Sequence, residues 1–177
     1  MVRLIWLTGV PGAGKSTVRR ELVRRGELAH DADEGGFRVW VDRATGVAVD
    51  DPGRGGRPRD WHERNWCPIA RERVAGLRRA AEHDVVFLAG SVPNELDVWD
   101  LFDVVLCLVV DDETLRHRLR SRTDNDFGKD PAVRDAVVGW NSTSALDYKG
   151  FGATLIDATR PLKDVVDAVL AASRTPL

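Results

Sequence analysis

The nine residues Gly9–Thr17 (Gly-Val-Pro-Gly-Ala-Gly-Lys-Ser-Thr) limit what this chain can fold into more than any other stretch. They fit G-x-x-x-x-G-K-[ST], the phosphate-binding loop pattern, with a further Thr. Val2–Thr8 before them is apolar enough for a buried strand. After them Val18, Leu22 and Val23 recur at helical spacing, with Arg19, Arg20, Glu21, Arg24 and Arg25 on other faces. A strand, a glycine loop and a helix in that order give the pattern its physical meaning. Glycines let the backbone wrap an anion with no Cβ in the way. Successive N–H groups and the helix N-terminus then point at phosphate oxygens. Gly9, Pro11, Gly12, Ala13, Gly14, Lys15, Ser16 and Thr17 are therefore expected to cradle a nucleotide. Lys15 should reach its terminal phosphates, and the Ser16 hydroxyl should hold Mg²⁺. The chain has four lysines against 22 arginines, so lysine at this position is not compositional chance.

The second informative stretch is Asp31-Ala32-Asp33-Glu34-Gly35-Gly36, at the exit of a short strand expected over residues 27–30. In open α/β sheets ligands bind outside the carboxyl ends of strands. Residues two apart at such an exit share a side, so Asp31 and Asp33 would both face the transferring phosphoryl group. One would hold a metal-bound water, and the other would orient an acceptor hydroxyl. Residues 37–42 and 47–50 alternate around a turn and predict a β-hairpin. Residues 51–60 are rich in Gly, Pro and Arg and read as a loop, with Arg54, Arg57 and Arg59. Trp61, His62, Arg64 and Trp66 follow, then a helix expected from Ile69 to about Glu82. The arginines and tryptophans of this segment either grip an acceptor or pack the lobe.

The next apolar strand, 84–90, ends in Ala-Gly-Ser where a phosphate-loop hydrolase places an acid. Metal binding would then fall to Ser16 and the carboxylates at 31 and 33. Gly90 and Asn94 are expected near the ligand. A strand over 104–110, a helix capped by Asp111 or Asp112 and the polar loop 123–131 follow. That loop reads as a lid over residues 122–131, with Arg122 and Lys129 as cations for the phosphates. A helix from Pro131 to about Tyr148, a short strand at 153–157 and a final helix complete the chain.

Five βα units with an N-terminal phosphate loop predict one domain, residues 1–177, with a three-layer α/β/α fold and a five-stranded parallel sheet. A net charge of −2 creates no field for nucleic acid or membrane surfaces. No apolar run approaches the ~20 residues of a membrane span. Cys67 and Cys107 are far apart and form no metal or redox motif. The expectation is a cytoplasmic protein, with oligomeric state left open.

On the phosphate loop, Asp31-Ala32-Asp33, Arg122-Thr123…Lys129 and Ile156–Leu162, the chain resembles the small P-loop kinases: shikimate, gluconate and adenylate kinases and their relatives. The resemblance implies a P-loop NTPase fold with a lid and a small inserted acceptor-binding segment at 37–66. It implies ATP and Mg²⁺. Asp31 would assist the metal and Asp33 would contact the acceptor hydroxyl. Arg122 would stack on adenine and Lys129 would contact phosphates, where the family usually has arginine. Arg160 and Pro161 would lie in the adenine loop. The glycine triplet that shikimate kinases carry after the third strand is replaced by Ala89-Gly90-Ser91. The reading is an ATP-dependent phosphotransferase for a small-molecule hydroxyl or phosphate acceptor. The alternatives are a polynucleotide 5′-kinase and a nucleotide-binding regulator without transfer activity.

Overall fold

The computed structural model describes residues 2–53, 55–80, 82–123 and 127–175. Arg54, Ala81 of the expected helix and residues 124–126 of the expected lid lie outside them. Five strands build the main sheet: β1 (Arg3–Thr8), β2 (Leu28–Asp31), β5 (Val85–Ala89), β6 (Val104–Val109) and β7 (Thr154–Asp157). All pair in parallel, in the spatial order β2-β5-β1-β6-β7. Parallel neighbours need crossovers, and helices supply them on both faces. These are α1 (Lys15–Arg24), α3 (Arg71–Ala80), α4 (Asp112–Ser121), α5 (Pro131–Gly150) and α6 (Leu162–Arg174).

The alternation of side chains along each strand divides the core in two. Ile5, Leu7, Phe87, Leu106 and Leu108 point to one face, packing with Val18, Leu22, Leu115, Leu119, Val165 and Val169 from α1, α4 and α6. Leu4, Trp6, Val86, Leu88, Val105 and Cys107 point to the other, with Val74 of α3 and Val98 and Phe102 of the turns that follow β5. Trp6 anchors that second layer at 1% exposure. Its ring lies 4.8 Å from Phe102 and 5.9 Å from Trp99, and its indole N–H donates to the Gly90 carbonyl at 3.0 Å. β1 lies mid-sheet, and the chain crosses over it between β5 and β6. The phosphate loop therefore leaves the sheet where the direction of winding changes, which is where such sheets bind ligands.

Helix ends follow local chemistry. Asp111, not Asp112, caps α4, accepting from the Thr114 N–H at 2.7 Å. Asp130 caps α5 by accepting from Ala132 and Val133, with Pro131 at the first helical position. α5 continues two residues beyond Tyr148 before Phe151 ends it.

The segment after β2 departs from expectation. The predicted hairpin closes with a single bridge, Val41 to Ala48, plus bonds from Asp42 N–H to Val47 and from Val49 N–H to Trp40. The ladder proper joins β3 (Val41–Asp42) to β4 (Asn65–Trp66), antiparallel. A one-turn helix, α2 (Trp61–Arg64), leads into β4. Asn65 ties that turn by donating to the Trp61 carbonyl at 3.1 Å. The helix expected from Ile69 to about Glu82 is shorter at its start, because Ile69 bridges back to Arg38 as extended chain.

Candidate functional site

The loop from Gly9 to Gly14 turns on backbone that only glycine adopts without strain. Gly9 has φ +135°, and a Cβ there would lie 2.6 Å from the Leu108 carbonyl oxygen. Gly12 has φ +91°, and a Cβ there would lie 2.8 Å from Leu115 Cδ1. The loop is thus seated directly on β6 and α4. Gly14 ends it as the left-handed N-cap of α1, so the N-terminal N–H groups of that helix point into the loop.

Lys15 folds back over its own loop. Its Nζ donates to the Gly9 carbonyl at 2.5 Å and to Val10 at 3.0 Å. Ser91 Oγ also donates to Gly9, at 2.7 Å, so the exit of β5 is tied to the same carbonyl. Burial pushes the Lys15 ammonium down to about 8, against the pull of Cys107, Glu95 and Asp33 and with the Arg122 charge adding to the fall.

A cavity of about 860 Å³ opens in front of the loop. That is at the upper end of the roughly 300–1,000 Å³ typical of ligand pockets. Pro11, Gly12, Ala13, Gly14, Lys15, Ser16 and Thr17 line one wall, and Asp31, Asp33 and Arg38 line another. Arg118, Arg122, Phe127, Arg160 and Leu162 line the rest. The structure therefore brings together most of the residues expected from sequence, drawn from five separate stretches. Three stand apart from the wall. Gly9 lies behind the loop, Pro161 serves as the N-cap of α6, and Lys129 is exposed at the surface.

The two carboxylates are already engaged. Asp31 sits 3.3 Å from Arg19 Nε and accepts from the Asp33 N–H at 3.0 Å. Asp33 accepts from Arg38 Nη1 at 2.5 Å, while Arg38 Nε donates to the Cys67 carbonyl at 2.9 Å. The Asp33 side chain is 67% exposed and that of Arg38 26%. Exposed pairs of this kind hold about 0.2–1 kcal/mol. Ser16 and Asp31 both offer hard oxygen donors to the cavity, the ligand type that Mg²⁺ takes.

One expectation needs correcting. Asn94 does not face the cavity. Its side-chain amide clips the backbone of Ile69, accepting from the N–H at 2.9 Å and donating to the carbonyl at 3.1 Å. Gly90 lines the cavity, but the group pressed against it is Ala32, whose Cβ would be 2.5 Å from an added Cβ. The tryptophans of the 37–66 segment pack the lobe. Trp40 meets Trp61 and His62 edge-on at 5.5 and 5.4 Å, with the Arg57 guanidinium 4.7 Å above its ring. Arg57 is also paired with Asp51. Among the described residues of that segment, Arg38 alone reaches the cavity wall.

Three features take their place from contacts that only folding makes. Arg118 joins the phosphate loop to the loop after β7, donating to Ala13 at 3.0 Å and to Ala158 at 2.8 Å. Arg38 is the second. The third is a polar cluster beneath the loop. Tyr148 donates to Glu95 Oε2 at 2.6 Å, and Thr8, fully buried at the end of β1, lies 3.2 Å from the Tyr148 hydroxyl. Burial raises the Glu95 carboxyl above its ordinary value, opposed by the Tyr148 bond and by Lys15. No local pattern marks these residues, because their partners are 40 or more positions away or lie in an irregular segment.

Known proteins agree with this architecture. A solved sugar kinase from Janibacter sp. HTCC2649 superposes with a TM-score of 0.56 at 15% identity, over 97% of this chain and 94% of that one. A deoxyadenosine kinase from M. mycoides, solved with bound dATP, superposes with a TM-score of 0.53 at 12% identity, over 97% of this chain and all of its own. At these identities the likeness is one of fold. A curated octanoyltransferase, LipM from Exiguobacterium sibiricum, is 32% identical over 98 residues. That match takes in 54% of this chain, which spans about a third (33%) of the curated relative's length. The family model described as an AAA domain matches residues 5–139, from β1 through the phosphate loop and α4 into α5. With that match over three-quarters of its length and the phosphate loop within it, the chain belongs to the AAA domain family of P-loop NTPases.

Proposed function

We propose that the protein is an ATP-dependent phosphotransferase that moves the γ-phosphoryl group to a small-molecule acceptor. The observation that carries this reading is that donor and acceptor groups share one cavity. The phosphate loop with Lys15 and Ser16 lines it together with Asp31, Asp33 and Arg38. A hydrolytic switch needs only the first of these. The names of the solved sugar and deoxyadenosine kinases with this fold support the same reading.

The loop N–H groups and Lys15 would hold the β- and γ-phosphates and stabilise charge on the group in transfer. Ser16, with Asp31 beside it, would hold Mg²⁺, which would supply further neutralisation of phosphate charge. Asp33 would accept a hydrogen bond from the acceptor hydroxyl and aim its oxygen in line with the departing ADP. Arg122 and Arg160, on the remaining wall, would flank the base. Phe127, which lines the cavity, would exclude water.

Acyl transfer on a cysteine, which the octanoyltransferase name would suggest, is not favoured by either thiol. Burial pushes the Cys107 thiol up to about 12 and raises Cys67 as well, so neither is a ready thiolate at neutral pH. A polynucleotide substrate would call for a basic groove, and a chain of net charge −2 whose cations converge inside a cavity does not supply one.

The test is ADP release over a panel of nucleosides, nucleoside monophosphates, sugars and sugar acids, for wild type and Lys15→Ala. At least one acceptor should raise ADP release ~100-fold or more over the variant, the scale of losing a group that stabilises transition-state charge. If no acceptor lifts wild type above the Lys15→Ala background, the reading is wrong.

A further inference from the structure

Asp33 is the carboxylate best placed to take an acceptor hydroxyl, yet Arg38 already holds it. The two partners are not held alike. Arg38 is fixed from behind. Its backbone bridges to Ile69, and its Nε donates to the Cys67 carbonyl at 2.9 Å. Asp33 sits on an exposed turn, with 67% of its side chain open. The pair is thus anchored on the arginine and loose on the aspartate. Arg38 also lines the cavity. An anion arriving there would meet a guanidinium preset to receive it and a carboxylate it repels.

We propose that the Arg38–Asp33 pair is a latch that an anionic acceptor opens. Without acceptor, Arg38 keeps the Asp33 carboxylate occupied. An acceptor bearing a carboxylate or phosphate takes the guanidinium, and Asp33 swings free to bind that molecule's hydroxyl. In the transfer step the bond from acceptor oxygen to Pγ forms and the bond from Pγ to the β-bridging oxygen breaks. ADP leaves and the hydroxyl proton is released through Asp33 to solvent. Water carries no anion to open the latch, so ATP is not wasted on hydrolysis. The proposal rests on the phosphotransferase reading and adds to it the acceptor's chemical class.

The test compares wild type, Arg38→Gln and Arg38→Lys, with Lys15→Ala as background. ADP release is measured without acceptor, then with matched sets: a sugar acid, the corresponding sugar phosphate and the neutral sugar. The sugar-acid and sugar-phosphate arms separate carboxylate from phosphate as the anion recognised. Wild type should prefer at least one anionic acceptor to its neutral counterpart by ~10-fold or more in kcat/KM, the scale of a charge-assisted contact. Arg38→Gln should abolish that preference, mainly through KM, and raise acceptor-free ADP release several-fold. Arg38→Lys should keep part of both properties. If Arg38 merely props Asp33, Arg38→Gln lowers kcat for every acceptor alike and leaves acceptor-free release unchanged, which overturns the latch. Equal wild-type activity on charged and neutral acceptors overturns it too, while leaving phosphotransfer standing. If wild type never exceeds the Lys15→Ala background, the phosphotransferase reading fails and the latch with it.

Discussion

Glu95 shows how much of the site rests on single residues without a sequence signature. Its carboxylate lies under the phosphate loop, gripped by Tyr148 and close enough to Lys15 to act on its charge. Burial raises its pKa in the folded chain. A folded carboxyl with a raised pKa binds its proton more tightly than the unfolded one. The stability this contributes is full below the ordinary glutamate range and is lost as pH rises through the raised value. In Glu95→Gln that dependence disappears. Thermal unfolding followed from about pH 4 to about pH 8 should show wild type losing ground to Glu95→Gln as pH rises. Parallel curves for the two proteins would mean that Glu95 is not the strained group described here. At this scale the sequence was most legible where chemistry is contiguous. Lys15, Ser16 and the loop glycines are read off one motif, and Asp31 and Asp33 off a second. Arg38, Arg118, Glu95 and Tyr148 act through partners brought together by folding, as with Tyr148 and Thr8, which are 140 positions apart.

At the scale of elements, hydrophobic runs located all five main strands to within a few residues, because buried parallel strands are near-continuously apolar. The α4 cap was readable to within one residue, as Asp111 or Asp112, because a cap satisfies free N–H groups beside it in the chain; Asp111 does so, and Asp130 does the same for α5. The 37–66 segment was only partly legible. β3 and β4 are two residues each and pair across 22 intervening positions, too short for any period to register. What holds this segment to the body includes Asn94, whose amide makes two bonds to Ile69. Asn94→Ala should cost about 1–3 kcal/mol, the range for losing a buried bonded partner. The loss should be local, read as faster hydrogen exchange at the Ile69 amide than in wild type with the central strands unchanged. Exchange that speeds up equally in β1 would place Asn94 in the global core instead of at the segment's hinge.

For the molecule as a whole, strand order decides what the cavity contains. Placing β1 between β5 and β6 seats the phosphate loop at the middle of the sheet's carboxyl edge, with the exits of β2 and β5 to one side. Asp31, Asp33 and Arg38 come from the β2 exit, so they line the same cavity as the phosphate loop. That juxtaposition separates a transferase from a hydrolase built on the same loop. ³¹P NMR of ATP turnover in the presence of an active acceptor measures it directly. The account predicts one new phosphoester signal for each ADP formed, with inorganic phosphate growing only slowly and no such signal from Lys15→Ala. Inorganic phosphate appearing in step with ADP, with no acceptor ester, would contradict it.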